Sequence, residues 1–182
     1  MAVLQVQGIH HITLNGADRQ ASIDFWQGIL GMQLIFEQPN LDHQETNHLY
    51  FDCGDGRTLT VFTEEYRTAY KQEISQSVGH VHHIAFWVSQ SSIRLAEKRL
   101  INAGYPNDGI KDRGFMDSLY IRDPLGLLVE LASYKFDPPQ GSSYAQVLSE
   151  ASKIKAKRNS KVIEEIDVLN AIISISKKHL SN

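Results

Sequence analysis

At 182 residues the chain is long enough to bury a core, as one domain or as two small halves packed together. A net charge of −3 gives no general attraction to nucleic acid or to an anionic membrane, and no run reaches transmembrane length. The single cysteine, Cys53, excludes an intramolecular disulfide, and the N-terminus lacks a basic and apolar leader pattern, so a cytoplasmic protein is expected.

Residues 8–14 are rich in apolar and β-branched types in alternation, which predicts a strand. Asp18 is placed to cap a helix in which Ile23, Trp26, Ile29 and Leu30 recur at helical spacing, and Gly31 is placed to end it. Residues 32–37, 48–52 and 58–63 predict three strands, the last two joined by a tight Gly54-Asp55-Gly56 turn. A linker over 64–79 follows. The same order then recurs: a strand over 81–88, a helix over 91–103 with Ile93, Ala96 and Leu100 on one face, and strands over 108–110, 115–122 and 126–133. Asp123-Pro124-Leu125-Gly126 is the turn before the last of these. Beyond Pro138-Pro139 two helices are predicted, over 142–157 and 160–180. The second has an apolar stripe of Val162, Ile166, Leu169, Ile172, Ile173 and Leu180, read as a packing or oligomer surface, and it makes a homodimer the expected assembly.

The two halves share a near-repeat. Gly8-Ile9-His10-His11-Ile12-Thr13-Leu14 is answered 72 residues later by Val81-His82-His83-Ile84-Ala85-Phe86-Trp87, the mark of a duplicated supersecondary unit. Strand parity puts Ile84, Phe86 and Val88 on one face and His83, Ala85 and Trp87 on the other. With the apolar parity turned to the helix, His11 and His83 face the open side, while His10 and His82 start the packed side. Glu130 shares a face with Leu128 and Ala132 in an otherwise apolar strand, where a carboxylate needs a partner. Two histidines from equivalent strands plus one carboxylate make a facial triad with open coordination positions, suited to Fe(II). A His-His pair at a strand start is otherwise most often a hydrogen-bonded rim histidine. No glycine-rich phosphate loop, nucleophile elbow or cysteine zinc pattern is present.

His11-Ile12-Thr13-Leu14 with Asp18, Ile23-Asp24-Phe25-Trp26 with Leu30-Gly31-Met32, His83-Ile84-Ala85-Phe86, and Asp123-Pro124-Leu125-Gly126 leading to Glu130 together resemble the vicinal oxygen chelate superfamily. That superfamily includes glyoxalase I, extradiol ring-cleaving dioxygenases, fosfomycin-resistance enzymes and bleomycin-resistance proteins. The resemblance implies an α+β fold of paired βαβββ modules, about 8–63 and 80–134, forming a cup-shaped sheet around a metal. The domain would span 1–137, with a C-terminal helical extension over 138–182. The implied metal ligands are His11, His83 and Glu130. The fourth glyoxalase I ligand would fall at Thr60 or Val61, neither a carboxylate.

The stretch from Asp112 to Pro124 resembles the segment before the ligand Glu in hydroquinone-type ring-cleaving dioxygenases, with Tyr120 in the place of a tyrosine beside the iron. Those enzymes usually have four modules, whereas this chain has two. The implied function is an Fe(II) extradiol-type dioxygenase using O2 on a small catechol or hydroquinone-like substrate, with Mn, Ni, Co or Zn as alternative metals. Non-oxidative lyase, isomerase or epimerase chemistry, and metal-free binding of a small molecule, are the competing readings. His48 and His82 are nominated as a nearby base by proximity alone. Trp87, Phe51, Phe115 and Met116 are candidates to line an apolar pocket, and Arg113 and Arg122 to bind a substrate carboxylate.

Overall fold

Alternation becomes a pleat in β1 (His11–Asn15), where Ile12 and Leu14 turn inward and His11, Thr13 and Asn15 stay exposed. The computed structural model describes residues 5–67 and 77–180; residues 68–76 of the expected linker and the first four residues lie outside the described ones. Gly16 follows β1 because nothing larger fits, since a Cβ there would meet Val61 Cγ1 at 2.2 Å. Asp18 then closes the N-terminus of α1 (Arg19–Ile23) by accepting from the Ala21 amide at 2.8 Å. α1 runs on into a π-helical turn, Asp24–Ile29, that buries two consecutive rings, Phe25 and Trp26. Their centroids lie 4.9 Å apart, edge to face.

Three strands complete the half: β2 (Leu34–Pro39), β3 (Asn47–Asp52) and β4 (Thr58–Thr63). β2 starts two residues later than expected because the Met32 amide bonds to Trp26 O at 2.9 Å, closing the helix terminus rather than joining the sheet. The Gly54-Asp55-Gly56 turn forms as predicted, with φ of +86° and +82° at its two glycines. β4 pairs antiparallel with β3 and parallel with β1, giving the order β1-β4-β3-β2. Leu49, Phe51, Leu59 and Val61 are fully buried on one face of this sheet. The other face holds an aromatic row, in which Phe36 stacks on Tyr50 at 4.1 Å and His48 sits 4.2 Å from Tyr50 and 4.4 Å from Phe62.

The second half repeats the plan with β5 (Ile84–Trp87), α2 (Gln90–Asn102), β6 (Lys111–Asp112), β7 (Met116–Arg122) and β8 (Leu128–Tyr134), in the order β5-β8-β7-β6. β5 is shorter than predicted because its neighbour β8 begins at Leu128, and in their parallel register Ile84 already opposes Val129. The strand expected over 108–110 forms instead at Lys111–Asp112. Gly109 adopts φ +79° and donates to Asn107 Oδ1 at 3.1 Å, which makes a turn of those residues. Asp123 ties the Asp-Pro-Leu-Gly turn, its Oδ1 accepting from Leu125 N at 2.9 Å and Leu127 N at 2.8 Å.

The C-terminal extension folds as α3 (Tyr144–Lys157) and α4 (Glu165–Leu180). A capping box on Ser143 and Gln146 starts α3. Val147, Ala151, Val168 and Ala171 form a core of their own, against which Phe115 and Phe136 pack. The expected stripe of α4 therefore divides: Ile172 joins that core, while Val162, Ile166, Leu169, Ile173 and Leu180 stay exposed, and the expectation of a homodimer rests on that exposed face.

α4 begins later than predicted because the carboxylate of Asp167 takes the Glu164 amide at 2.9 Å, along with a bidentate guanidinium from Arg158, both contacts 2.8 Å. That guanidinium holds the Asp167 carboxyl down to about 2, and no part of Asp167 reaches solvent. A group depressed on folding stabilises above its unfolded value near ~4 and loses that effect as pH falls toward its folded one. The wild-type melting temperature should accordingly fall between about pH 4 and pH 2 more steeply than that of Asp167→Asn. Parallel melting curves over that range would remove Asp167 from the account.

The chain divides into two compact units, Met1–His83 with Arg122–Leu128, and Ile84–Ile121 with Val129–Asn182, so that the helical extension belongs to the second. The architecture is α+β, and no helix of the described residues is long and apolar enough to cross a membrane.

Candidate active site

Each half opens on a histidine pair with the same local geometry. His11 begins β1 and is exposed; His83 immediately precedes β5 and is half-buried. The Nδ1 atoms of His10 and His11 are 2.9 Å apart, and those of His82 and His83 are 2.7 Å apart. His10 and His82 do not start a packed face as the parity argument predicts. Both precede the first paired strand residue, so the pleat does not hold them, and each exposed ring turns to its neighbour instead. When Nδ1–H of His11 or His83 donates to that neighbour, its own Nε2 keeps a lone pair for an electrophile.

Glu130 lies in the middle of β8, only 3% exposed, opposite Ala85 in the β5 register. Ala85 stands two residues after His83, and Thr13 stands two residues after His11. Thr13 pairs with Thr60, so Thr60 rather than Val61 is the counterpart of Glu130. Its hydroxyl is fully buried and donates to Thr13 Oγ1 at 2.8 Å. The first half thus holds a closed hydroxyl pair where the second holds a carboxylate.

In the second unit Glu130 contributes to the wall of a cavity of about 220 Å³, together with Ala85, Phe86, Trp87, Met116, Ala132 and Tyr134. Trp87 and Met116 are lining residues, as expected. Phe51 and Phe115 are not: Phe51 shares the core face of β3 with Leu49, and Phe115 packs against the helical core. Tyr134 and Ala132 were within reach of sequence, since they follow Glu130 at intervals of two, and alternation alone places them on its face. Tyr120 is half-buried on the same face of β7 as Met116, and the Arg113 guanidinium carbon lies 5.9 Å from its ring centre. Arg122 donates to Gly126 O at 2.7 Å, inside the turn before β8.

His48 belongs to the aromatic row of the first sheet, its Nδ1 3.1 Å from Tyr50 Oη and its Nε2 buried without a hydrogen bond. Burial pushes its pKa down and the charge of His11 adds to the effect, both disfavouring the charged imidazolium. Among the described residues no group of three or more His, Cys, Asp or Glu side chains is gathered to hold a metal ion.

The putative ring-cleaving dioxygenase MhqO of Bacillus subtilis (strain 168) is 31% identical over 129 residues, covering 70% of this chain and 40% of that protein. This chain therefore spans about 40% of the length of such curated relatives. Glutathione transferase FosA of Serratia marcescens is 28% identical over 127 residues, 69% of this chain and 80% of that one. The crystal structure of a putative dioxygenase from B. subtilis superposes with a TM-score of 0.61 at 29% identity, over 72% of this chain and 42% of the other. The family model of the glyoxalase/bleomycin resistance protein/dioxygenase superfamily matches residues 8–131, a span that takes in both histidine pairs, Glu130 and both sheets up to the middle of β8. On that match, and on two halves sharing one strand order, the chain belongs to the glyoxalase/bleomycin resistance protein/dioxygenase superfamily.

Proposed function

We propose that the chain is a metal-dependent ring-cleaving dioxygenase acting on a small catechol or hydroquinone-like substrate, with Fe(II) held by His11, His83 and Glu130. The observation that carries this reading is the asymmetry of register. Where the second half presents the buried Glu130, the first presents Thr60 locked to Thr13, so the donor set stops at two imidazoles and one carboxylate. The donor chemistry suits a divalent metal, since each His pair turns one imidazole by its neighbour and Glu130 brings a buried anion to a cavity wall. A bound Fe(II) would acidify a coordinated ring hydroxyl and bring it to O2.

The remaining work falls to the protein. The apolar walls at Trp87, Met116 and Ala132 offer an aromatic ring a surface to pack against. Tyr120 Oη is the group assigned to hydrogen-bond a substrate hydroxyl, steadied by the cation over its ring. The relatives named as ring-cleaving dioxygenases agree with this reading.

FosA gives specific support to a second reading, non-oxidative chemistry at the same donors. The two are separated by anaerobic purification, metal analysis and oxygen uptake with catechol and hydroquinone panels after Fe(II) loading. The dioxygenase reading expects one O2 consumed per ring cleaved, with both oxygen atoms in the product and no added reductant. Tight Mn, Ni, Co or Zn with no oxygen uptake on any ring would shift the assignment to the second reading.

A further inference from the structure

The family match ends at residue 131, yet the cavity beside Glu130 continues beyond it through Ala132 and Tyr134. Tyr144, the first residue of α3, stacks on Tyr134 with centroids 4.2 Å apart and planes 12° apart. It also meets Trp87 edge-on at 5.7 Å. Its hydroxyl also donates to Asp137 Oδ1 at 3.2 Å, at the exposed end of the ring. Trp87 is 69% exposed on the edge strand of its sheet, so a rotamer useful for binding has to be imposed on it by a neighbour.

We infer that Tyr144 of the C-terminal helical extension is a specificity-determining residue: by buttressing Trp87 and Tyr134 it sets the width of the cavity and restricts it to single-ring aromatic ligands. The size agrees. An apolar cavity of roughly 150 Å³ accepts benzene, and this one, at about 220 Å³, leaves room for a ring with small substituents. The lining also agrees, since offset and edge-to-face ring contacts reward a flat aromatic guest. α3 is anchored independently by its core of Val147 and Ala151, so Tyr144 is presented by a firm element. The inference rests on the reading that the Glu130 cavity receives the substrate, though not on the metal or on O2.

The test is therefore a binding measurement, made without iron and without oxygen. Catechol and 4-tert-butylcatechol are titrated against the full chain while tryptophan fluorescence is followed. Trp87→Phe identifies the signal, since the other tryptophan, Trp26, is buried. Wild type should bind catechol in preference to the bulky ring. Tyr144→Leu and Tyr144→Ala should weaken catechol about five- to tenfold and move the preference toward 4-tert-butylcatechol, while Tyr144→Phe stays close to wild type. A purely structural role would lower the melting temperature and weaken both ligands alike.

An unchanged ratio in a folded Tyr144→Leu protein overturns the inference, as does quenching that survives Trp87→Phe or a wild type that does not bind catechol. If the ratio shifts but the iron-loaded enzyme takes up no oxygen, the dioxygenase reading fails and the role of Tyr144 stands.

Discussion

Glu130→Gln should leave the fold in place and lower metal affinity by more than about 100-fold, with turnover lost in proportion. That bound comes from the ligands' supporting partners, whose removal alone costs about 10–100-fold, and a donor itself should cost more. Glutamine keeps the length and planarity of the side chain, so Leu131 and Val129 beside it in β8 need not move. What disappears is the negative charge, and at 3% exposure little solvent can replace it. A neutral amide is a poor donor to a divalent cation, and two imidazoles do not make a facial triad. The measurement is metal content by mass spectrometry with a competitive chelator titration, run beside His83→Ala. Loss in both variants identifies them as donors to one metal. A Glu130→Gln protein that keeps its metal and its oxygen uptake would remove Glu130 from the donor set.

Trp26→Ala should destabilise the protein by about 3–5 kcal/mol, in the range seen for truncating a large buried aromatic ring. Trp26 is 1% exposed, stands edge to face with Phe25, and its carbonyl receives the Met32 amide that closes the helix. Because the turn it sits in is π-helical, Phe25 and Trp26 are buried side by side, and a loss at one leaves a void against the other. Urea unfolding followed by circular dichroism measures the effect, and a loss below about 1 kcal/mol would mean that the neighbours collapse into the space. Trp26→Phe should recover most of the stability.

Much of this architecture was legible in the residues. Period-two alternation and the His-His-Ile repeat gave the strands, and Asp18, Gly31 and the Gly54-Asp55-Gly56 turn gave their punctuation. Strand ends were harder, because an end is set by the partner: β5 starts late because β8 starts late, and Met32 is taken by the helix before it can join β2. The π-helical turn left no mark in the helical spacing of Ile23, Trp26, Ile29 and Leu30.

At the candidate site, parity put Glu130 and Trp87 on their faces, apolar character nominated Met116, and register between strands, which a single sequence does not show, decided for Thr60 over Val61. Phe51 and Phe115 misled for the opposite reason, since an aromatic residue suits a core as well as a cavity. Tyr144 was out of reach altogether, because its contacts with Trp87 and Tyr134 span 57 and 10 residues of chain and follow no period.

The self-contained core of the helical hairpin separates two kinds of change. Val147, Ala151, Val168 and Ala171 hold α3 and α4 together without drawing on the strand that carries Glu130. Substitutions along the hairpin can then alter how the wall beside Tyr134 is shaped while Glu130 and the two histidine pairs stay untouched, and a chain of this design can try new guests without disturbing those residues.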